Sequence, residues 1–373
     1  ERSIVLGEQL LSPGARCGRD LHAVDLVNEI WAAGKGQHQF LAYAQNILDR
    51  RMDKQTEIPS GSFAQHLRSD FLPNEVDEQV QRGVALFHER TNRFRNNPQY
   101  TDWLERARQL SIHPDMNSLR ELIKIQILIA RQERKRQMTF DLVPLPTSEL
   151  EVRDSSKEDS AADIFMHEDV KISYYFGIER LCVLATNNIE ELLGLAATLY
   201  EGLKAKQVLR KETVLSPAEQ EKHLTEAAKR KRDFIPKSHT EGTRAQHLID
   251  GIAVFCRELT FLPNAPYAPG VTGVRLTKSA LDKLEKVHTY GDSGRTLHRV
   301  LCECVAENLL STKESAASNS RESGLVFYLN RTLCVLNGLP LGYGGWQNVD
   351  VEDMIEWMQK GPTSSRKRRL EID

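Results

Sequence analysis

Before residue 270, apolar side chains return every three or four positions, the spacing of helices that bury one face. Two helices are predicted over 21–33 and 37–52, separated by Gly34, Lys35 and Gly36. Asn74, with Asp77 at the third position, starts a longer helix running to about Arg95, and 98–110 forms the next. Ser118-Leu119-Arg120-Glu121 reads as a capping box opening a helix through Leu122, Ile123, Ile125, Leu128 and Ile129. The pattern then changes. Residues 138–146 read as extended, and 147–162 are acidic, Ser-rich and poor in apolar side chains, which suits a solvated linker.

Helical spacing resumes beyond that linker. Residues 174–181 open one helix, which stops near Thr186 and Asn187. Asn188 with Glu191 caps the next, carrying Ile189, Leu192, Leu193, Ala196, Leu199, Tyr200 and Leu203. Ser216-Pro217-Ala218-Glu219 combines an N-cap, a proline in the first turn and a Glu at the third position. Residues 240–259 turn Leu248, Ile252, Cys256 and Leu259 inward, and Pro263 and Pro266 end that helix.

From 277 to 346 the order becomes helix, helix, hairpin, helix. Thr277 can N-cap a helix with Leu281, Leu284 and Val287 on one face. The run 294–309 places Leu297, Val300, Leu301, Cys304 and Val305 on a buried stripe. Two apolar runs, 309–313 and 325–330, flank a polar loop over 315–324, as in a hairpin with a long tip. A short helix over 331–336 ends at Asn337-Gly338, and Pro340 prevents its continuation. This order predicts a winged helix, a module type that commonly meets nucleic acid. The Gly342-to-Trp346 cluster reads as a tight turn docking Trp346 on a last helix, 351–358.

The expected fold is therefore mainly α: multi-helical blocks followed by a C-terminal winged-helix domain with a small β-hairpin. The expected divisions are a helical block over 1–146, the linker over 147–162, a second, lid-like block over 163–268, the winged helix over 269–360 and a basic tail over 361–373. With 373 residues the chain exceeds what one core comfortably holds.

A net charge of −2 excludes a protein that coats nucleic acid over its whole surface, so binding has to come from a local patch. Within the winged segment, Arg295, His298 and Arg299 open the outward face of the second helix, whereas Glu303 and Glu307 follow further on. Positive charge thus gathers at the end that enters a major groove in helix-turn-helix docking. Lys278, Lys283 and Lys286 on the preceding helix, with Lys313 and Arg321 in the wing, are candidate phosphate contacts. The runs Lys229-Arg230-Lys231-Arg232 and Arg134-Lys135-Arg136 read as helix C-termini where cations complement the dipole, with phosphate contact as the alternative. The tail cations 366–369 would add sequence-independent attraction to DNA.

Other chemistry is scarce. GxxxxGK(S/T), HExxH and GxSxG do not occur, and Gly34-Lys35-Gly36 is a helix break. His167-Glu168-Asp169 reads as a solvated loop, and no metal site is predicted. The six cysteines form no CxxC pair and read as reduced structural thiols, with Cys302 and Cys304 on different helix faces. A mean hydropathy of −0.46 and the lack of any long apolar run argue against a membrane span, and a cytoplasmic protein is expected. A chain opening on Glu1 is expected to be a fragment of a longer product.

The run Leu329-Asn330-Arg331-Thr332-Leu333-Cys334, followed by Leu339-Pro340-Leu341-Gly342-Tyr343-Gly344-Gly345-Trp346, resembles the C-terminal end of bacterial origin-recognition-complex-like AAA+ P-loop ATPases. Tyr174-Tyr175-Phe176-Gly177, then Leu184-Ala185-Thr186-Asn187-Asn188-Ile189-Glu190-Glu191-Leu192-Leu193, is similar to the helical lid of the same proteins. The resemblance covers roughly 170–358. It implies a multi-domain ATPase acting on DNA or in a defence or maintenance complex, with ATP and Mg²⁺ bound by a nucleotide core that this chain does not contain. Arg180 is the arginine nearest the lid turn and the candidate nucleotide sensor, although the usual Gly-Asp-x-Arg pattern does not stand there. The expected function is a non-catalytic lid plus duplex-DNA-binding winged helix. The alternative is a protein-interaction module with a protein partner or self-association and no nucleic-acid ligand.

Overall fold

The computed structural model describes residues 36–52, 61–139, 156–262, 270–285, 287–316, 322–343 and 345–362. The expected helix over 21–33 and the basic tail lie outside them, as does most of the segment read as extended or linker. Helix α1 (Gly36–Met52) buries Phe40, Ala44, Leu48 and Met52, one residue per turn. Helix α2 (Pro73–Thr91) starts one residue before Asn74, because Pro73 suits the first helical position and Leu72 N–H donates to Glu75 at 3.0 Å. Helix α3 (Thr101–Leu110) leads to α4 (Met116–Thr139). Its cap is Asp115, whose carboxylate accepts from Ser118 N–H at 2.7 Å, rather than Ser118 itself. That bond holds the Asp115 carboxyl below its ordinary range. Met138 and Thr139, read as extended, are the last residues of α4.

From Ser156 onward the expected linker is instead helix α5 (Ser156–Val170). Ala161, Ala162, Ile164, Phe165 and Met166 give it a buried face, and Asp163 pairs with Arg120 of α4 at 2.8 Å. The run His167-Glu168-Asp169 belongs to the end of this helix rather than to a solvated loop. Glu168 pairs with Arg257 at 2.7 Å and Asp169 with Arg90 at 2.5 Å.

Helix α6 is shorter than expected, Ile178–Leu184, because Gly177 adopts φ 83°. The preceding turn is pinned from α8 (Pro217–Ser238): Glu221 accepts the N–H groups of Tyr174 and Tyr175, and Gln220 that of Gly177. Thr186 and Asn187, at φ 52° and 58°, stop α6. Asn188 then caps α7 (Ile189–Val208) by accepting from Glu190 and Glu191 N–H. The Ser216–Glu219 capping box opens α8 as its sequence requires. The basic run Lys229–Arg232 lies in the middle of α8, since the helix continues to Ser238, so it does not serve a C-terminal dipole. Its side chains are held by neighbours: Lys231 by Glu191 at 2.6 Å, Arg232 by Asp250 at 2.6 Å, Arg230 by Thr198 Oγ1 at 3.1 Å. Helix α9 (Gly242–Thr260) buries Leu248, Ile252 and Cys256 as its spacing predicts.

A small sheet follows, with strands β1 (Val271–Thr277), β2 (Leu310–Ser315), β3 (Gly324–Leu329) and β4 (Gly345–Asn348) in the order β2-β3-β1-β4. β1–β3 and β2–β3 are antiparallel, and β1–β4 is parallel. Sequence reading misses β1, because the strand is covered on both faces and shows no polar–apolar alternation. Between β1 and β2 stand α10 (Lys278–Glu285) and α11 (Val287–Ala306). Helix α12 (Arg331–Leu336) follows β3, and α13 (Val351–Lys360) closes the described chain. The expected tight turn at Trp346 is strand β4, seated where a side chain on Gly345 would meet the Gly270 carbonyl at 1.8 Å. It is Trp357 of α13 that docks, against Gly251 and Phe255 of α9.

One hydrophobic core runs from Phe40 through Leu199, Leu248 and Val274 to Met358, so the expected blocks share it. A second, smaller core is confined to α2, α4 and the Tyr100–Leu110 stretch, around Phe87, Tyr100, Trp103 and Leu122. Among the described residues no helix is long and apolar enough to cross a membrane.

Candidate nucleic-acid interface

The helix pair α10–α11 is fastened at its start by two side chains. Thr277 Oγ1 accepts from Ala280 N–H at 3.2 Å, the N-cap predicted from sequence. Glu322, across the sheet at the root of the hairpin loop, accepts from Ser279 N–H at 2.8 Å and from its hydroxyl at 3.0 Å. Gly291, at φ 55°, interrupts α11, so the regular helix is the part that follows it. That part buries Leu297, Val300, Leu301 and Cys304 against the core.

The opposite side carries the predicted cations. Arg295, His298 and Arg299 are exposed, as are Lys278, Lys283 and Lys313. Lys286 and Arg321 lie outside the described residues. Arg295 pairs with Asp292 one turn earlier, and Arg299 pairs with Glu241 at 3.2 Å. The acidic second half of the helix differs from the outward face expected of it. Glu303 accepts from Thr240 and Glu241 N–H at 2.6 and 3.1 Å and so caps the entry to α9. Its carboxylate is half-buried and held against the start of α9. Glu307 is exposed.

The predicted hairpin is present, with Leu310 opposite Leu329, and its ladder extends to Ser315 opposite Gly324, which the sequence placed in the loop. Tyr343 stacks on Tyr328 at 4.8 Å, and Arg331 covers its ring at 4.0 Å, so this aromatic is already partnered within the chain. Cys302 is half-buried while Cys304 is fully buried, the different faces expected from their spacing.

A family model described as ORC-CDC6-like matches residues 16–345. The chain belongs to the ORC-CDC6-like family. The match begins well before the motifs around 170–358, so the N-terminal helices of this ORC-CDC6-like chain are part of the family's domain and not an appended block. No curated protein and no solved structure matches the chain.

Two features of the ORC-CDC6-like chain bear on nucleotide chemistry. Arg180, the candidate sensor, donates to the Tyr174 carbonyl at 2.5 Å and to Asp163 at 2.8 Å, and lies over the Tyr174 and Phe176 rings. It is a structural link between α5 and α6. No GxxxxGK(S/T) loop stands in the sequence, and among the described residues no group of three His, Cys, Asp or Glu gathers to hold a cation. No nucleotide or Mg²⁺ step is assigned to these residues.

Two residues organise this region in ways that sequence reading did not show. Arg275 in β1 is buried and joins the hairpin loop to β4. Glu191 joins α7 to α8, to Asn308 before β2 and to α12. An arginine within the apolar run Val271–Leu276 is the only sequence signal for the first; the second reads in sequence as the capping partner of Asn188, whereas its carboxylate faces α8 and α12.

Proposed function

We propose that this chain supplies a helical lid and a winged-helix duplex-DNA-binding module to an origin-recognition-like ATPase. The observation that carries the proposal is the insertion of α10 and α11 between β1 and β2 of the antiparallel order β2-β3-β1. That arrangement leaves Arg295, His298 and Arg299 exposed at the beginning of a helix and Lys313 exposed on the hairpin. Membership of the ORC-CDC6-like family supports the same reading.

Fluorescence anisotropy with a labelled duplex over a salt series tests this. Each lysine or arginine on a phosphate releases counterions, giving a slope of about −0.9 in log K against log salt per contact. Arg295→Ala with Arg299→Ala should weaken binding and flatten the slope. Unchanged affinity and slope would overturn the proposal. The pairing of both arginines with Asp292 and Glu241 favours a second reading, a protein-docking module. Under it, duplex neither binds the chain nor raises its melting temperature.

A further inference from the structure

We propose that Arg275 is the positioning residue of the wing: it anchors both roots of the loop between β2 and β3, so that Lys313 and the exposed cations of α11 meet one duplex together. The inference rests on the DNA-binding reading and names the residue that aligns its two contact elements.

Arg275 stands in the central strand and is only 2% exposed. Its Nε donates to Ser315 Oγ at 2.7 Å, one root of the loop, and its guanidinium donates to the Glu322 carbonyl, the other root. A third arm reaches Asn348 Oδ1 of β4 at 2.8 Å, and the Trp346 ring lies 5.2 Å from the guanidinium carbon. All three acceptors are neutral, and among the described residues no carboxylate pairs with this cation. Burying an unpaired charge is costly, and only a planar fork with several donors can meet three divergent acceptors at once. The site therefore uses the shape of arginine, not only its charge.

Register connects this anchor to the candidate phosphate contact. Arg275 pairs with Val326, and Val326 pairs with Lys313, so the three occupy one row and one face of the sheet. Two strand spacings of about 4.8 Å separate the rows' ends, placing the Lys313 backbone roughly 10 Å from that of Arg275. Glu322 closes the frame. Its carbonyl is held by Arg275, while its carboxylate caps Ser279 at the start of α10. Glu322 thereby ties the wing to the helix pair, beside the bond from Lys278 N–H to the Ser323 carbonyl at 2.9 Å.

A double-mutant cycle on the full chain, read by duplex anisotropy across a salt series, tests the proposal. Lys313→Ala should weaken binding and reduce the slope by about 0.9. Arg275→Lys keeps the charge but cannot hold three acceptors; it should weaken binding by a similar factor. The double variant should then bind no more weakly than either single one, because an unanchored wing no longer presents Lys313. Additive losses, or Arg275→Lys binding like the wild type, would overturn the role of Arg275 and leave the DNA-binding reading intact. Should Arg275→Lys fail to fold, Ser315→Ala removes the acceptor on the wing side and carries the same cycle. A wild-type chain that binds no duplex at low salt would instead overturn the DNA-binding reading, and this role with it.

Discussion

The hydroxyl of Tyr175 donates to the carbonyl of Leu339 at 2.6 Å, across 164 residues of sequence. The same oxygen lies 3.4 Å from the Cys334 carbonyl, and Tyr175 is fully buried. This bond joins the two runs that carry the family resemblance, the turn before α6 and the Leu-Pro-Leu-Gly stretch after α12. Tyr175→Phe removes the donor and leaves the ring. A buried carbonyl that loses its partner costs about 1–3 kcal/mol, so the denaturation midpoint should fall accordingly. An unchanged midpoint would show that the bond contributes nothing net.

Alkaline pH should act on the same region. Burial pushes the Tyr175 hydroxyl well above its ordinary value of 10.0, and the thiols of Cys182 and Cys334 from 9.0 up to about 12. The folded state thus holds these groups neutral after the unfolded chain has begun to ionise. Their contribution is fully present below about pH 9 and is lost as pH climbs toward 12. Melting temperatures measured through that window should decline, and more gently for Tyr175→Phe. A flat profile would contradict the assignment.

Glu191 is a carboxylate with 9% side-chain exposure and four donors: Lys231 at 2.6 Å, Thr332 Oγ1 at 2.7 Å, Asn308 Nδ2 at 2.9 Å and Asn330 Nδ2 at 3.0 Å. Glu191→Gln turns an acceptor oxygen into an NH₂ facing those donors and strands the lysine. Removing one partner of such a buried pair costs about 3–5 kcal/mol, an upper bound here because Lys231 is partly exposed. Chemical denaturation should find Glu191→Gln no better than Glu191→Ala. Near-wild-type stability of the glutamine variant would mean that the negative charge is dispensable.

Gly251 reports on the docking of α13. A methyl added there would stand 2.5 Å from Cγ of Trp357. Gly251→Ala gains helix propensity of about 0.8–1.0 kcal/mol but overpacks the contact by about 1–3 kcal/mol. A lower melting temperature with altered tryptophan emission is expected. A stabilised protein with unchanged emission would place Trp357 elsewhere.

Thiol accessibility provides a fifth check. Cys182, Cys256, Cys304 and Cys334 are buried, while Cys302 is partly exposed. Under native conditions near pH 8, a thiol reagent should label Cys302 before these four, and mass spectrometry of the labelled peptides will show the order. Early labelling of Cys256 or Cys304 would refute the packing of α9 and α11.

Much of the secondary structure was legible because its signals are local. The caps Asn188, Ser216 and Thr277 each act within three residues, and the hairpin follows from two apolar runs around a polar loop. The family resemblance also lay in contiguous runs, and it correctly pointed to an origin-recognition-like relative. The errors share a cause. Strand β1 is buried on both faces and therefore lacks alternation, and the first turns of α5 read as linker because acidic residues outweighed an apolar face that packing against neighbouring helices buries.

What the sequence determined by itself was a mainly helical chain with a small β-hairpin near its C-terminal end, with cations opening α11 and placed along the hairpin. Only the tertiary structure decided which charges are free to act. Glu303 caps the entry to α9, Arg180 bridges α5 and α6, and the Lys229–Arg232 run is largely tied to neighbouring helices. Arg275 and Glu191 become joints because strand pairing and helix packing bring acceptors and donors from distant segments around one side chain. Local patterning sets where a residue sits on its element, whereas its partners depend on which other surfaces the shared core draws against it.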